Sequence, residues 1–169
     1  MVIDNPFTRI LHAHTDQPPE ERRQAITEAV GATIPFVKTA GLGVETYTPT
    51  RVVVVLPHRA EVENHIGGLH AAAMALLAET ATGLVVALNV PGESVPVIRT
   101  LHIDFRRRAA PPLRATATLS DDEAERIRSH PIGKIDVPLT LVDATDEAPL
   151  DTAIQWAWLP ERRVMPDAP

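Results

Sequence analysis

One carboxylate stands alone in the most apolar stretch of the chain. Residues 64–83 read Asn-His-Ile-Gly-Gly-Leu-His-Ala-Ala-Ala-Met-Ala-Leu-Leu-Ala-Glu-Thr-Ala-Thr-Gly, a glycine-bearing turn leading into a helix pattern that is almost wholly apolar except for Glu79. A helix this rich in Ala, Leu and Met must be enclosed by the rest of the fold, and an ionised carboxylate inside an apolar enclosure carries a desolvation cost unless it is paired or used. Glu79 therefore belongs at a solvated cleft or in a site, where it would act as a general base or a nucleophile. At the start of the same helix the N–H of Ala71 lacks an intrahelical partner and lies in the favourable field of the helix, suited to a developing negative charge. Plainer alternatives exist. Glu79 could be a helix-end carboxylate paired with an arginine, His70 a capping or core histidine, and Asn64 a turn former.

The elements that must position these groups follow from periodicity. Between Glu20 and Lys38, the residues Ala25, Ile26, Ala29, Val30 and Ile34 recur at helical spacing after Pro18-Pro19, which predicts a lead-in helix broken near Pro35. Two strands, Val44 to Thr48 and Arg51 to Leu56, flank a Thr48-Pro49-Thr50 turn and form a hairpin. The central helix spans Leu69 to about Leu84, and Val85 to Val90 reads as a strand ended by Pro91-Gly92. Further on, Leu101, Ile103 and Phe105 alternate with Thr100, His102, Asp104 and Arg106, a core face against a wet one. Leu113 to Leu119 repeats that pattern, as do Val137, Leu139 and Leu141, and finally Ile154, Trp156 and Trp158. Ser120-Asp121-Asp122-Glu123 is a capping box opening a short polar helix to about Ser129.

The expected fold is α+β, a curled antiparallel sheet wrapped around one long central helix, with an N-terminal lead-in helix. Residues 1–40 would form the helical lead-in, 41–160 the domain proper and 161–169 a mobile tail. The N-terminus, His12 and His14 included, would also be mobile. In this packing Leu69, Ala73, Leu76, Leu77 and Thr80 meet Leu101, Ile103 and Phe105, while Trp156 and Trp158 close the edge of the barrel.

Composition narrows the chemistry. A net charge of -6 and a pI near 5.6 argue against broad nucleic-acid binding, which needs a basic surface. With no cysteine there is neither a disulfide nor a thiolate metal site. Glu61, Glu63, His65 and His70 do not have a recognised metal-ligand spacing, so no metal is expected. Met1 to Leu11 is too short in apolar residues for a signal peptide and no stretch reaches the length of a membrane span, so a soluble, cytoplasmic protein is expected. Nucleophile-elbow, phosphate-loop and dinucleotide fingerprints are absent from the sequence.

Asn64, His70 and the Leu77-Ala78-Glu79 triplet nine residues after that histidine together resemble the signature of the hotdog-fold thioesterases. In that family an Asn precedes a His-Gly-Gly that opens the central helix, followed by Leu-Ala-Asp or Leu-Ala-Glu. The likeness extends over roughly residues 40–159 and takes in Thr80, Ala81 and Gly83. The branch that hydrolyses acyl-coenzyme A, of the phenylacetic-acid-degradation type, is the nearest. The resemblance implies a hotdog fold and a thioesterase that releases a free acid and coenzyme A without a cofactor. Glu79 would be its base or nucleophile, the Ala71 N–H the oxyanion donor, and Asn64 and His70 groups that orient water or support the oxyanion. Arg106, Arg107 and Arg108 form the most basic local run and are candidate contacts for the phosphates of coenzyme A, with Arg59 weaker.

Nine residues of helix separate His70 and Glu79 by roughly 13 Å and place them on opposite sides of it. One chain therefore cannot bring both to one carbonyl, whereas a two-fold homodimer with neighbouring central helices can. The resemblance allows a tetramer as well. Two departures matter: the family's glycines are Ala71 and Ala72 here, and the Ser or Thr that some members carry on the following strand falls at Ile98, with Thr100 the nearest hydroxyl. They motivate a second reading, a non-catalytic hotdog module that binds an acyl ligand or serves assembly. An enoyl-CoA hydratase on the same fold comes third, because no His and Asp pairing of the expected kind is present.

Overall fold

A computed structural model describes residues 3–164. The chain begins with α1 (Pro6–Ala13), in a segment expected to be mobile. Asn5 caps it: its Oδ1 accepts from the Phe7 and Thr8 N–H groups at 2.9 Å each, while Thr8 Oγ1 accepts from the Asn5 N–H at 3.0 Å. Pro6 then supplies the fixed φ that suits a first helical position. Helices α2 (Pro19–Thr33) and α3 (Pro35–Ala40) come next, and the expected break falls between them, at Pro35. Gly41, at φ +67°, ends α3 in the left-handed region.

Strands β1 (Gly43–Thr48) and β2 (Arg51–Leu56) form the expected hairpin. A bulge at Glu45 bends β1, and the Val44 N–H at that edge donates to Thr27 Oγ1 of α2 at 2.9 Å. After a 3-10 turn at Ala60–Val62 comes the central helix α4 (Ala71–Ala87), buried at most of its positions. The strand expected at residues 85–90 is absent. Val85, Val86 and Ala87 are instead the last turn of α4, because enclosure on all sides decides a Val-rich run whose periodicity is ambiguous. The carbonyls at that end are met by side chains: Asn5 Nδ2 donates to Ala87 and Val90 at 2.8 and 2.9 Å, and Asn89 Nδ2 donates to Val85 at 2.9 Å.

The remaining elements are β3 (Ser94–Phe105), β4 (Leu113–Thr118), α5 (Asp121–Ser129), β5 (Gly133–Asp136), β6 (Leu139–Val142), β7 (Leu150–Pro160) and α6 (Glu161–Val164). The capping box at Ser120 and Glu123 forms as expected. Val137 and Leu139 do not share one strand. Pro138 cannot donate to a ladder, so β5 ends before it and β6 begins after it, in different sheets. The residues expected as a mobile tail divide: 161–164 are the short helix α6, and 165–169 lie outside the described residues.

All pairings are antiparallel, in a four-stranded sheet β1-β2-β4-β6 and a three-stranded sheet β3-β7-β5. Helix α4 packs against strands of both. This is the α+β, sheet-around-a-helix arrangement of the hotdog fold. Because β7 lies between β3 and β5, Trp156 and Trp158 are interior residues, 5% and 1% exposed, rather than the closure of an edge. Gly83 lets α4 approach β7 closely, since a Cβ there would lie 2.8 Å from the Trp156 ring. Trp156 Nε1 donates to Thr82 Oγ1 on α4 at 3.0 Å. Among the described residues no helix is long and apolar enough to cross a membrane.

Asn5 thus serves two helices, as the N-cap of α1 and as a donor at the end of α4. Asn5→Ala is expected to lower stability by about 2 kcal/mol, more than an ordinary cap, and to free α1. Chemical denaturation would give the loss, and hydrogen exchange at residues 5–13 the release of the helix.

Candidate active site

The turn before α4 is wound around Asn64. Its Oδ1 accepts from the Ile66 and Gly68 N–H groups at 3.1 and 3.0 Å, and its Nδ2 donates to the Leu69 carbonyl at 3.2 Å. Gly67, at φ +69°, supplies the left-handed step in this loop. The Asn64 side chain is thereby committed to the loop backbone. Its role is to present His70 at the tip of the helix.

His70 is the N-cap of α4. Its own N–H donates to Val62 at 2.8 Å, and its Nδ1 accepts from the Ala72 N–H at 3.0 Å. That bond places the proton of the neutral ring on Nε2, which is left as the outward donor. The Ala72 N–H is occupied, and the Ala73 N–H reaches the His70 carbonyl. Ala71, exposed at the first helical position, keeps an N–H without an acceptor among the described residues. The structure thus leaves one free backbone donor at the tip of α4, at the expected residue.

Glu79 lies two and a half turns further on, half-buried on the stripe Ala72, Ala75, Glu79 and Gly83 that is the least covered side of α4. The ion-pair alternative finds no partner, since no arginine, lysine or histidine reaches Glu79 among the described residues and its carboxylate takes no hydrogen bond, only its backbone carbonyl accepting from Thr82 Oγ1 at 3.1 Å. Burial alone pushes its carboxyl pKa above the ordinary value. Beside it, the Thr80 hydroxyl is buried without a partner, a feature that no pattern in the sequence signals. A cleft at the tip of α4 includes His70, Ala72 and Ala73 in its lining but not Glu79.

Strand β3 shows where the sheet stays open. In the β3–β7 ladder Ile98, Leu101 and Phe105 stand opposite Trp156, Ile154 and Leu150, so the expected face is the inward one. Yet Ile98, Leu101 and Phe105 are 39%, 40% and 48% exposed, not core. They are uncovered because β3 is an edge strand, paired only with β7. A register shift between Ile98 and Thr100 puts Thr100 opposite Gln155, on the outward face, so its hydroxyl points away from α4.

The three arginines separate. Arg106 pairs with Asp151 at 2.6 Å, and Arg107 holds the fully buried carboxylate of Asp143 at 2.7 Å. That guanidinium, with N–H groups of Ala110 and Thr145, holds the Asp143 carboxyl far below the usual carboxylate range. Arg108 meets no carboxylate among the described residues; its Nη2 donates to the carbonyls of Ile66 and Gly67, at 3.3 and 3.1 Å, in the loop that Asn64 winds. Arg59 pairs with Glu61.

A family model described as "Domain of unknown function (DUF4442)" matches residues 22–159. No curated protein matches the chain. Among solved structures the chain is similar to a protein of unknown function from Pseudomonas aeruginosa described as a probable thioesterase, at 24% identity and TM-score 0.71, covering 80% of this chain and 93% of that one. It is also similar to a thioesterase from Haemophilus influenzae, at 14% identity and TM-score 0.62, over 79% of this chain and 90% of that one. A thioesterase family protein from Silicibacter pomeroyi matches at 15% identity and TM-score 0.62, over 79% and 96% of the two chains.

The raised pKa of Glu79 has a stability consequence. The folded chain holds that proton more tightly than the unfolded one, so stability falls as pH rises from the ordinary carboxylate value through the raised one. Glu79→Gln removes the loss. The variant is expected to melt about 2–4 °C higher than the parent at pH 7.5, with the gain vanishing toward pH 4. Thermal melts of both proteins across that range check it.

Proposed function

This chain belongs to the family described as Domain of unknown function (DUF4442), and we propose that it is an acyl-CoA thioesterase, hydrolysing its substrate to a free acid and coenzyme A. The observation that carries the reading is Glu79, an unpaired, half-buried carboxylate on the open stripe of an otherwise apolar helix. A structural carboxylate would be paired or fully solvated, and this one is unpaired and only partly exposed. Glu79 activates water or attacks the thioester carbonyl, and the Ala71 N–H receives the oxyanion, with His70 Nε2 as a second donor. Asn64 shapes the loop rather than touching the reacting atoms.

The reading requires a homodimer, because eight residues of helix hold the Ala71 N–H and Glu79 roughly 12 Å apart along the axis, too far for both to serve one carbonyl, and His70 lies on the opposite side of the helix from Glu79. Two features support such an assembly. Strand β3 has a long unpaired edge with apolar residues left uncovered on its inward face. Beside it, Ala72, Ala75 and Glu79 mark an open stripe whose alanines let a second helix approach, while Gly83 is already taken up by the Trp156 ring. Arg108, free of carboxylates, is the arginine of the run that remains available to a phosphate.

Shared sites predict complementation. Ala71→Pro deletes only the free N–H, since proline suits the first helical turn and His70, at φ -68° and ψ 138°, already has the backbone that precedes a proline. Glu79→Gln and Ala71→Pro are each expected to lower kcat/KM about 10²–10⁴-fold with a panel of acyl-CoA substrates. Mixed and reassembled subunits should regain about one quarter of the parental activity, because half the dimers are mixed and each has one intact site. No recovery would overturn the shared site. The pH profile should show an acidic limb above the ordinary Glu value of about 4.3.

A second reading has an observation of its own. The nearest hydroxyl on β3, Thr100, faces outward, away from the side of α4 where the water would be held. In a non-catalytic acyl-binding module, the parent protein would bind acyl-CoA by calorimetry and hydrolyse none of the panel.

A further inference from the structure

The cleft at the tip of α4 is built by the lead-in helices as much as by the sheet-wrapped helix. Its walls are Phe36 and Ala40 from α3, Val62 from the 3-10 turn and Ala73 from the first turn of α4, and its rim carries Glu61 and Glu63. Ala40, Val62 and Ala73 are buried, at 4%, 4% and 7% exposure, so the floor is dry and apolar. Phe36, by contrast, is 57% exposed, an aromatic ring standing over an apolar cleft with nothing on it. The His70 ring lines the same cleft, which places the free Ala71 N–H one residue from its wall.

Charge divides the surroundings of the donor. The rim carboxylates pair with neighbouring cations, Glu61 with Arg59 at 3.1 Å and Glu63 with His58 at 3.0 Å, but no cation among the cleft-lining residues faces inward. Arg108 does not line the cleft; it holds the other part of the Asn64 loop, at Ile66 and Gly67. An anionic group on this cleft would lie against two carboxylates, whereas one near Arg108 would meet an uncompensated guanidinium.

We propose that the cleft is the acyl subsite, that Phe36 is a specificity-determining residue packing on an uncharged, apolar acyl chain, and that Glu61 and Glu63 reject acyl groups ending in a carboxylate. The thioester is thereby oriented with its acyl chain under α3 and its nucleotide phosphates toward Arg108. This rests on the thioesterase reading for the identity of the ligand, but not on turnover. Phe36 is exposed and supports no core contact, so its substitution leaves folding intact.

Calorimetric binding to the Glu79→Gln protein separates the two questions, because ligand stays intact whether or not the parent hydrolyses it. Hexanoyl-CoA should bind at least tenfold more tightly than succinyl-CoA. In the same background, Phe36→Ala should weaken hexanoyl-CoA about three- to tenfold with little effect on acetyl-CoA, and Phe36→Trp should preserve hexanoyl-CoA binding. Glu61→Gln combined with Glu63→Gln should narrow the gap between hexanoyl- and succinyl-CoA. Equal binding of the two ligands together with indifference to Phe36→Ala would overturn the subsite, as would the absence of binding by any acyl-CoA. Hydrolysis by the parent protein is scored apart: a protein that binds with these preferences and turns nothing over retains the subsite and loses the catalytic reading.

Discussion

Dehydration of α4 is the constraint on which the rest of the structure turns. Leu77, Leu84, Val85 and Val86 are 0–2% exposed, and each such side chain contributes about 1.5–3 kcal/mol by leaving water. Strands of both sheets are needed to enclose this helix, and its ends must then satisfy their backbone groups without solvent. At the C-terminal end this falls to Asn5 and Asn89, one from the start of the chain and one from the turn just after the helix. At the N-terminal end His70 takes the N–H of Ala72 and leaves that of Ala71 vacant. The vacancy, the carboxylate of Glu79 and the unpartnered Thr80 hydroxyl are the polar exceptions of a helix otherwise committed to burial. Several kcal/mol of apolar burial around them can sustain one unpaired acid, whose cost is of the order of 1–3 kcal/mol or more.

The same enclosure explains what was legible in the sequence. Signals that act over a few residues read correctly: the break at Pro35, the hairpin around Thr48-Pro49-Thr50, and the Ser120–Glu123 capping box. Asn5-Pro6 is an equally local start signal for α1, masked by the shortness of the segment and its place near a terminus. Where two local preferences conflict, the surroundings decided. Val85 to Val90 has strand-forming residues, and the helix kept the first three because every side of them is packed. The alternation of Leu101, Ile103 and Phe105 gave the correct face but not its burial, because whether an inward face is covered depends on what lies beyond the edge of the sheet.

For the candidate site, Glu79 stands out in the sequence by composition, and His70 and Ala71 by spacing. The arginine run is neutralised in a way no local pattern shows, at two of its three members: Asp151 and Asp143 come from 45 and 36 residues further along the chain. A run of like charges in sequence is therefore no patch in space until its counter-charges are placed. Asn64 illustrates the converse. Its position before the helix suggested chemistry, and its three side-chain hydrogen bonds show a residue holding a loop in the form that presents the histidine.

The bond from Val44 to Thr27 has a consequence for how the molecule can grow. An exposed ladder invites another ladder, and a protein with two such margins polymerises. Here the kinked margin at β1 is stoppered by a threonine hydroxyl from α2, while β5 and β6 are only four residues each. Among the described residues the long zipper left undone is β3, and in the proposed dimer a zipper closing on its own twin would use itself up. A hydroxyl contributed by a lead-in helix thus takes a backbone donor of that margin out of reach of any further strand.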